Sequence, residues 1–96
     1  MLIKAGVDIS RLNRETRRSL AKAAKVLKKY EEELVITSTY EGSHGESSLH
    51  YCNDAYDIRK PRDYAPDVAE EIREELGPFF DVVLEGDHVH IEFDPQ

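Results

Sequence analysis

The chain has one cysteine, one methionine and no tryptophan among its 96 residues, and only four prolines and five glycines. A lone Cys52 excludes a disulfide within the monomer. Reinforcement of another kind often helps, because so short a chain buries a smaller fraction of its surface than a larger one. A bound metal or self-association commonly supplies it in domains of this size. No apolar run approaches the ~20 residues of a membrane-spanning helix. The opening MLIKAGVDIS has no apolar stretch of signal-peptide length, and Asp8 interrupts what there is, so synthesis in the cytoplasm without a secretory signal is expected. Positive charge is also in deficit: 13 Lys and Arg against 20 Asp and Glu gives 13 − 20 = −7. Bulk charge therefore argues against nucleic acid or anionic membrane as a partner and points to plain solubility. With no repeat, low-complexity tract or linker, residues 1–96 read as one domain.

What is present is a clear alternation of elements. Leu20, Ala23, Ala24, Leu27 and Tyr30 follow the three-and-four spacing of one helix face, predicting a helix from about Arg14 to Glu32. Asn13 is placed to cap it. Arg14, Arg17, Arg18, Lys25 and Lys29 fall largely off that face and read as a solvated surface. Gly6 to Ile9 suggests a short extended piece beside the helix. Leu34 to Ser38 is β-branched and short, a strand, and the Gly-, Ser- and Glu-rich stretch from Thr39 to Ser48 a loop. Ala55 to Arg59 reads as extended, with Tyr56 and Ile58 on one side and Ala55 and Asp57 on the other. A second helix is predicted from Pro66 to Leu76, with Val68, Ile72 and Leu76 as its apolar stripe and Gly77 as its stop. Phe80 to Leu84 and His88 to Phe93 are two strands joined at Gly86-Asp87, a hairpin pattern. The expected fold class is α+β, a small antiparallel sheet with helices packed on one face.

The chemistry-bearing residues concentrate on the last strand. His88, His90 and Glu92 alternate and must share one face, while Val89, Ile91 and Phe93 share the other, apolar one. Asp57 sits opposite the face that carries Tyr56 and Ile58, and His50 precedes it in a loop. Two imidazoles and one carboxylate around an open fourth position constitute a catalytic zinc site; histidines on a polar strand face also occur simply solvated. Nitrogen and oxygen donors suit zinc better than magnesium or calcium, which prefer all-oxygen shells. Water at the open position would ionise near pH ~7 and supply a nucleophile.

The stretch from Ser48 to Asp57 resembles the Ser-x-His-x-x-Gly-x-Ala-x-Asp motif of the zinc D-alanyl-D-alanine metallopeptidases. Ser48, His50, Ala55 and Asp57 match it. Asp87-His88-Val89-His90 resembles the family's second motif, an acid three residues before the last zinc ligand. The resemblance runs from about Leu34 to Phe93 and includes the order of elements. It implies a Hedgehog- and D-Ala-D-Ala-peptidase-like fold, with Zn2+ held by His50, Asp57 and His90. It also implies hydrolysis of an amide bond in peptidoglycan stem peptides, of the D-Ala-D-Ala carboxypeptidase or phage L-Ala-D-Glu endopeptidase type. Such a chain, if phage-encoded, would act in cell-wall degradation. Two positions depart from the pattern. Asn53 stands where the family has Gly, a residue that tolerates left-handed backbone. Glu41 follows Ser38-Thr39-Tyr40 where the family often has a substrate-holding Arg, for which Arg59 or Arg62 are the available substitutes.

Roles follow from this reading. Asp87 is the first choice for the general base that moves a proton from water to the leaving amine, with Glu85 its rival because the Hedgehog-like branch places its acid further upstream. His88 is a donor to the oxyanion or a support for the ligands. Glu92 orients a ligand or lies in solvent. Ser48 shapes the loop before His50, and His44 lines the cleft or belongs to the loop alone. Cys52 is expected to be semi-buried, and Tyr40, Tyr51 and Tyr56 are expected to pack. The alternative function is a zinc-stabilised, non-catalytic binding module or phage structural component on the same fold.

Overall fold

A computed structural model describes residues 1–39 and 54–95 of the chain. The order is β1 (Leu2–Ile3), α1 (Arg14–Lys29), β2 (Val35–Thr39), β3 (Ala55–Arg59), α2 (Ala65–Leu76), β4 (Phe80–Leu84) and β5 (His88–Phe93). The strands form one five-stranded sheet in the order β1-β2-β3-β5-β4. It is an α+β architecture, with one correction to the expectation. The sheet is mixed, because β1 pairs parallel with β2 while every other neighbour is antiparallel.

That parallel edge is held by backbone groups. The amides of Leu2 and Lys4 donate to the carbonyls of Leu34 and Ile36 at 2.8 and 2.9 Å. Leu2 and Ile3 keep their side chains exposed, so no alternation in the sequence marks them as a strand. The segment expected to be extended, Gly6 to Ile9, instead leans Val7 and Ile9 against the core without pairing.

Helix α1 begins as expected, with Asn13 Oδ1 accepting from the amide of Thr16 at 2.8 Å. It stops at Lys29, three residues before the expected end. Glu31 adopts a left-handed conformation (φ 58°). The Glu31 and Glu32 amides then turn back onto the carbonyls of Lys28 and Leu27 at 3.0 Å each. This pair of reversed bonds is the Schellman termination, made here without the usual glycine. Helix α2 ends on Gly77 at φ 88°, where glycine meets the conformational demand directly.

Both helices lie on one face of the sheet. Leu20, Ala23 and Leu27 of α1 and Val68 and Ile72 of α2 share a core with Ile36, Tyr56, Ile58, Val82, Val89 and Ile91 of the strands. Each Leu, Ile or Val among them contributes roughly 1.5–3 kcal/mol by leaving water. Tyr56 is wholly buried, its hydroxyl hydrogen-bonded to Ser19 Oγ at 2.7 Å. The alternation expected for β3 and β5 is borne out: Tyr56, Ile58, Val89 and Ile91 point to the helices. Their neighbours Asp57, His88, His90 and Glu92 point to the opposite face. Among the described residues, no helix is long and apolar enough to cross a membrane.

Candidate functional site

The site is built by strand pairing. In the β3–β5 ladder Asp57 stands directly opposite His90, and Arg59 opposite His88. Residues 33 apart in the chain thereby touch, with His90 Nδ1 donating to Asp57 Oδ1 at 2.9 Å. The other ring nitrogen, Nε2, donates to Glu92 Oε1 at 3.1 Å. From β2, Ser38 Oγ donates to Asp57 Oδ2 at 2.9 Å. Ser38 reaches this face because the β2–β3 register shifts between Ile36 and Ser38, a β-bulge that sets an extra residue opposite Asp57. Sequence reasoning missed Ser38 as a partner of the acid. A strict two-residue alternation from the buried Ile36 would have turned it toward the helices.

His88 forms the second half of the site. Its Nε2 lies 2.7 Å from Glu85 Oε1 and 3.7 Å from Asp57 Oδ2, and its Nδ1 lies 2.7 Å from Asp87 Oδ1. The hairpin makes this possible. The Glu85 amide donates to the His88 carbonyl at 2.8 Å, closing a two-residue loop over Gly86 and Asp87. The two candidate bases are thus told apart by which ring nitrogen they meet. Glu85 meets the nitrogen that faces Asp57. Asp87 meets the one that faces away, and its side chain is 94% exposed.

Burial and charge set the protonation states. Asp57, only 7% exposed, would be raised by burial, but the hydrogen bonds from His90 and Ser38 and the charge of His88 hold it below the usual carboxylate value. His90 is pushed up to about 9, first by its hydrogen bond to Asp57, against the effect of burial, and further by Glu92. His88 is also raised, chiefly by Asp87, and Asp87 is lowered by the same contact. Asp81, exposed on β4 opposite Glu92, is raised by some desolvation and by the charges of Asp94 and Glu92. The result is a partly shielded row of alternating positive and negative groups along one face of the sheet.

Two of the three ligands inferred from the family resemblance therefore meet. Two donors on one tetrahedral zinc stand about 3.3 Å apart, given bond lengths of about 2.0–2.1 Å. The Asp57 and His90 donor atoms, at 2.9 Å, need only a few tenths of an ångström of separation to admit an ion between them. The third, His50, lies outside the described residues, as do His44, Ser48, Cys52, Tyr40, Tyr51 and the two departures at Glu41 and Asn53. Among the described residues no group of three His, Cys, Asp or Glu side chains is arranged to hold a metal. Of the candidate substitutes for the family's Arg, Arg59 is exposed and follows Asp57 by two on β3, so it shares its face. Arg62 follows β3 in the connection to α2, its backbone amide donating to Glu32 Oε2 at 3.1 Å and its guanidinium Nε 3.8 Å from Glu32 Oε1. Comparisons of this chain with protein-family models, with curated proteins and with solved structures returned no match.

Proposed function

We propose that this protein is a zinc-dependent peptidase that hydrolyses an amide bond in peptidoglycan stem peptides, on a fold of the Hedgehog and D-Ala-D-Ala peptidase kind. The observation that carries the reading is the pairing of Asp57 with His90. Two residues from separate sequence motifs bring an anionic oxygen and an imidazole nitrogen within 2.9 Å on a shielded sheet face. With His50 as third ligand, zinc bound there supplies Lewis acidity toward a carbonyl and lowers the pKa of water toward about 7.

The chain's own residues do the rest. Asp57 and His90 hold the ion. Glu85 accepts and returns the proton, because its carboxylate sits on the side of His88 that faces Asp57, whereas Asp87 extends into solvent. Once Glu85 has taken up the water proton, the His88 Nε2–H that it held at 2.7 Å is released as a donor to a carbonyl oxygen on which charge develops. Arg59, on the same face, offers a carboxylate-binding guanidinium in place of the family's Arg.

The test is turnover of D-Ala-D-Ala and L-Ala-D-Glu peptides by zinc-loaded protein, with loss on chelation. Glu85→Gln is expected to lower kcat by roughly 100-fold or more with zinc retained, and Asp87→Asn far less. Absence of turnover on both bond types in fully metallated protein overturns the enzymatic reading. The competing reading, a zinc-stabilised binding module, is favoured by one observation: both candidate bases are engaged by His88. It expects a thermal transition that falls on chelation with no hydrolysis at any point.

A further inference from the structure

We propose that Glu92 is a positioning residue that turns the His90 ring so that Nδ1, and not Nε2, is presented to the ion. This rests on the zinc reading above. An imidazole carries two nitrogens on opposite sides of one ring, and rotation about the Cβ–Cγ bond exchanges which of them faces the site. A histidine with a partner on one side only has little to choose between the two arrangements. His90 has a partner on each. Asp57 lies across the sheet on β3 and meets Nδ1 at 2.9 Å; Glu92 lies along β5 and meets Nε2 at 3.1 Å.

The strand geometry makes the arrangement stiff. His90 and Glu92 are two residues apart, so both project from the same face. Glu92 is flanked by Ala55 on β3 and Asp81 on β4. The small Ala55 side chain leaves the space beside Glu92 unobstructed on that strand, and the Asp81 carboxylate repels it from the β4 side. The Glu92 carboxylate therefore turns along its own strand toward His90, where it accepts from the ring. When Nδ1 gives up its proton to bind an ion, Nε2–H remains bonded to Glu92. That bond keeps the correct tautomer and makes Nδ1 a stronger donor. Ser38 acts comparably on the other ligand, taking Oδ2 of Asp57 and leaving Oδ1 toward His90.

The experiment measures zinc affinity of the whole chain by competition with a chromophoric chelator, together with long-range 1H–15N spectra of the zinc-loaded wild type. Glu92→Ala is expected to weaken zinc binding by roughly 10–100-fold. Glu92→Gln, whose amide oxygen still accepts from Nε2–H, should recover most of that loss, which a general defect in folding would not allow. In the wild-type spectrum Nδ1 should carry the metal-induced shift while Nε2 keeps its proton. Zinc bound through Nε2, or Glu92→Ala binding as tightly as wild type, overturns the proposal. The spectrum needs no variant, so it decides even if a substitution unfolds the chain. A wild-type chain that binds no zinc removes the proposed function itself, an outcome distinct from either of these.

Discussion

If Asp57 and His90 hold zinc as proposed, the pH dependence of its binding follows from their geometry. His90 holds a proton on Nδ1 with its pKa at about 9, because Asp57 accepts from it. An ion at that nitrogen must expel the proton. At pH 7 a group with a pKa two units higher weakens apparent metal affinity about 100-fold, equivalent to about 2.7 kcal/mol at 1.36 kcal/mol per unit. Affinity should then rise about tenfold per pH unit between about 7 and 9 and level off above. A ligand imidazole of ordinary pKa, near 6.5, gives an almost flat line over the same interval. The assay is chelator competition at half-unit steps from pH 6.5 to 9.5, corrected for the chelator's own protonation.

A stability measurement tests the same pair from the other side. In metal-free protein the raised His90 pKa stabilises the fold fully below about 6.5, the unfolded value, and the contribution is lost as pH rises through about 9. The displacement of 2.5 units corresponds to at most about 3–4 kcal/mol. The zinc-loaded protein should lose this slope between pH 7 and 9, since neither the metal-bound nor the unfolded imidazole holds the proton there and the gain in affinity offsets the falling metal-free stability. A flat affinity profile across that range in protein that does bind zinc would refute the assignment of His90 Nδ1 as a ligand.

Three further substitutions probe the fold and the site. Glu31→Gly removes the steric cost of a left-handed β-carbon at the end of α1. It should stabilise the protein by about 1 kcal/mol, raising Tm by roughly 4–8 °C, and an unchanged melt would remove this account of the helix terminus. Ile58→Ala at a fully buried core position should cost about 2–5 kcal/mol, read as a lower urea midpoint at constant m-value, and a loss under 1 kcal/mol would mean that this wall of the core collapses to fill the gap. Arg59→Ala should raise KM for a carboxylate-bearing peptide about tenfold or more with kcat largely kept, whereas Arg62→Ala should not; equal effects would show that the shared face of Arg59 and Asp57 is irrelevant to substrate.

Much of the fold was legible because it is encoded locally. The apolar spacing of Leu20, Ala23 and Leu27, the cap at Asn13 and the stop at Gly77 are properties of one segment each, and the helices lie where they indicate. So does the hairpin around Gly86 and Asp87, and so does the alternation on β5 that puts His88, His90 and Glu92 on one face. The early end of α1 was not legible, because nothing about Glu31 in isolation marks it for a left-handed conformation. The β1 pairing was hidden too, since it uses backbone groups and leaves Leu2 and Ile3 exposed.

Periodicity by itself determined which side chains share a face and that two imidazoles and an acid line the outer side of their strands. The tertiary structure alone decided which strand lies beside which and in what register. β3 inserts next to β5, in the order β1-β2-β3-β5-β4, because burying Tyr56, Ile58, Val89 and Ile91 together under the two helices is what aligns them. A slip of one residue would send Asp57 into that core, so the hydrophobic face sets the contact between Asp57 and His90 on the polar one. The bulge that brings Ser38 to the acid, and the choice of His88 nitrogen that separates Glu85 from Asp87, depend on three-dimensional neighbours that no local pattern specifies.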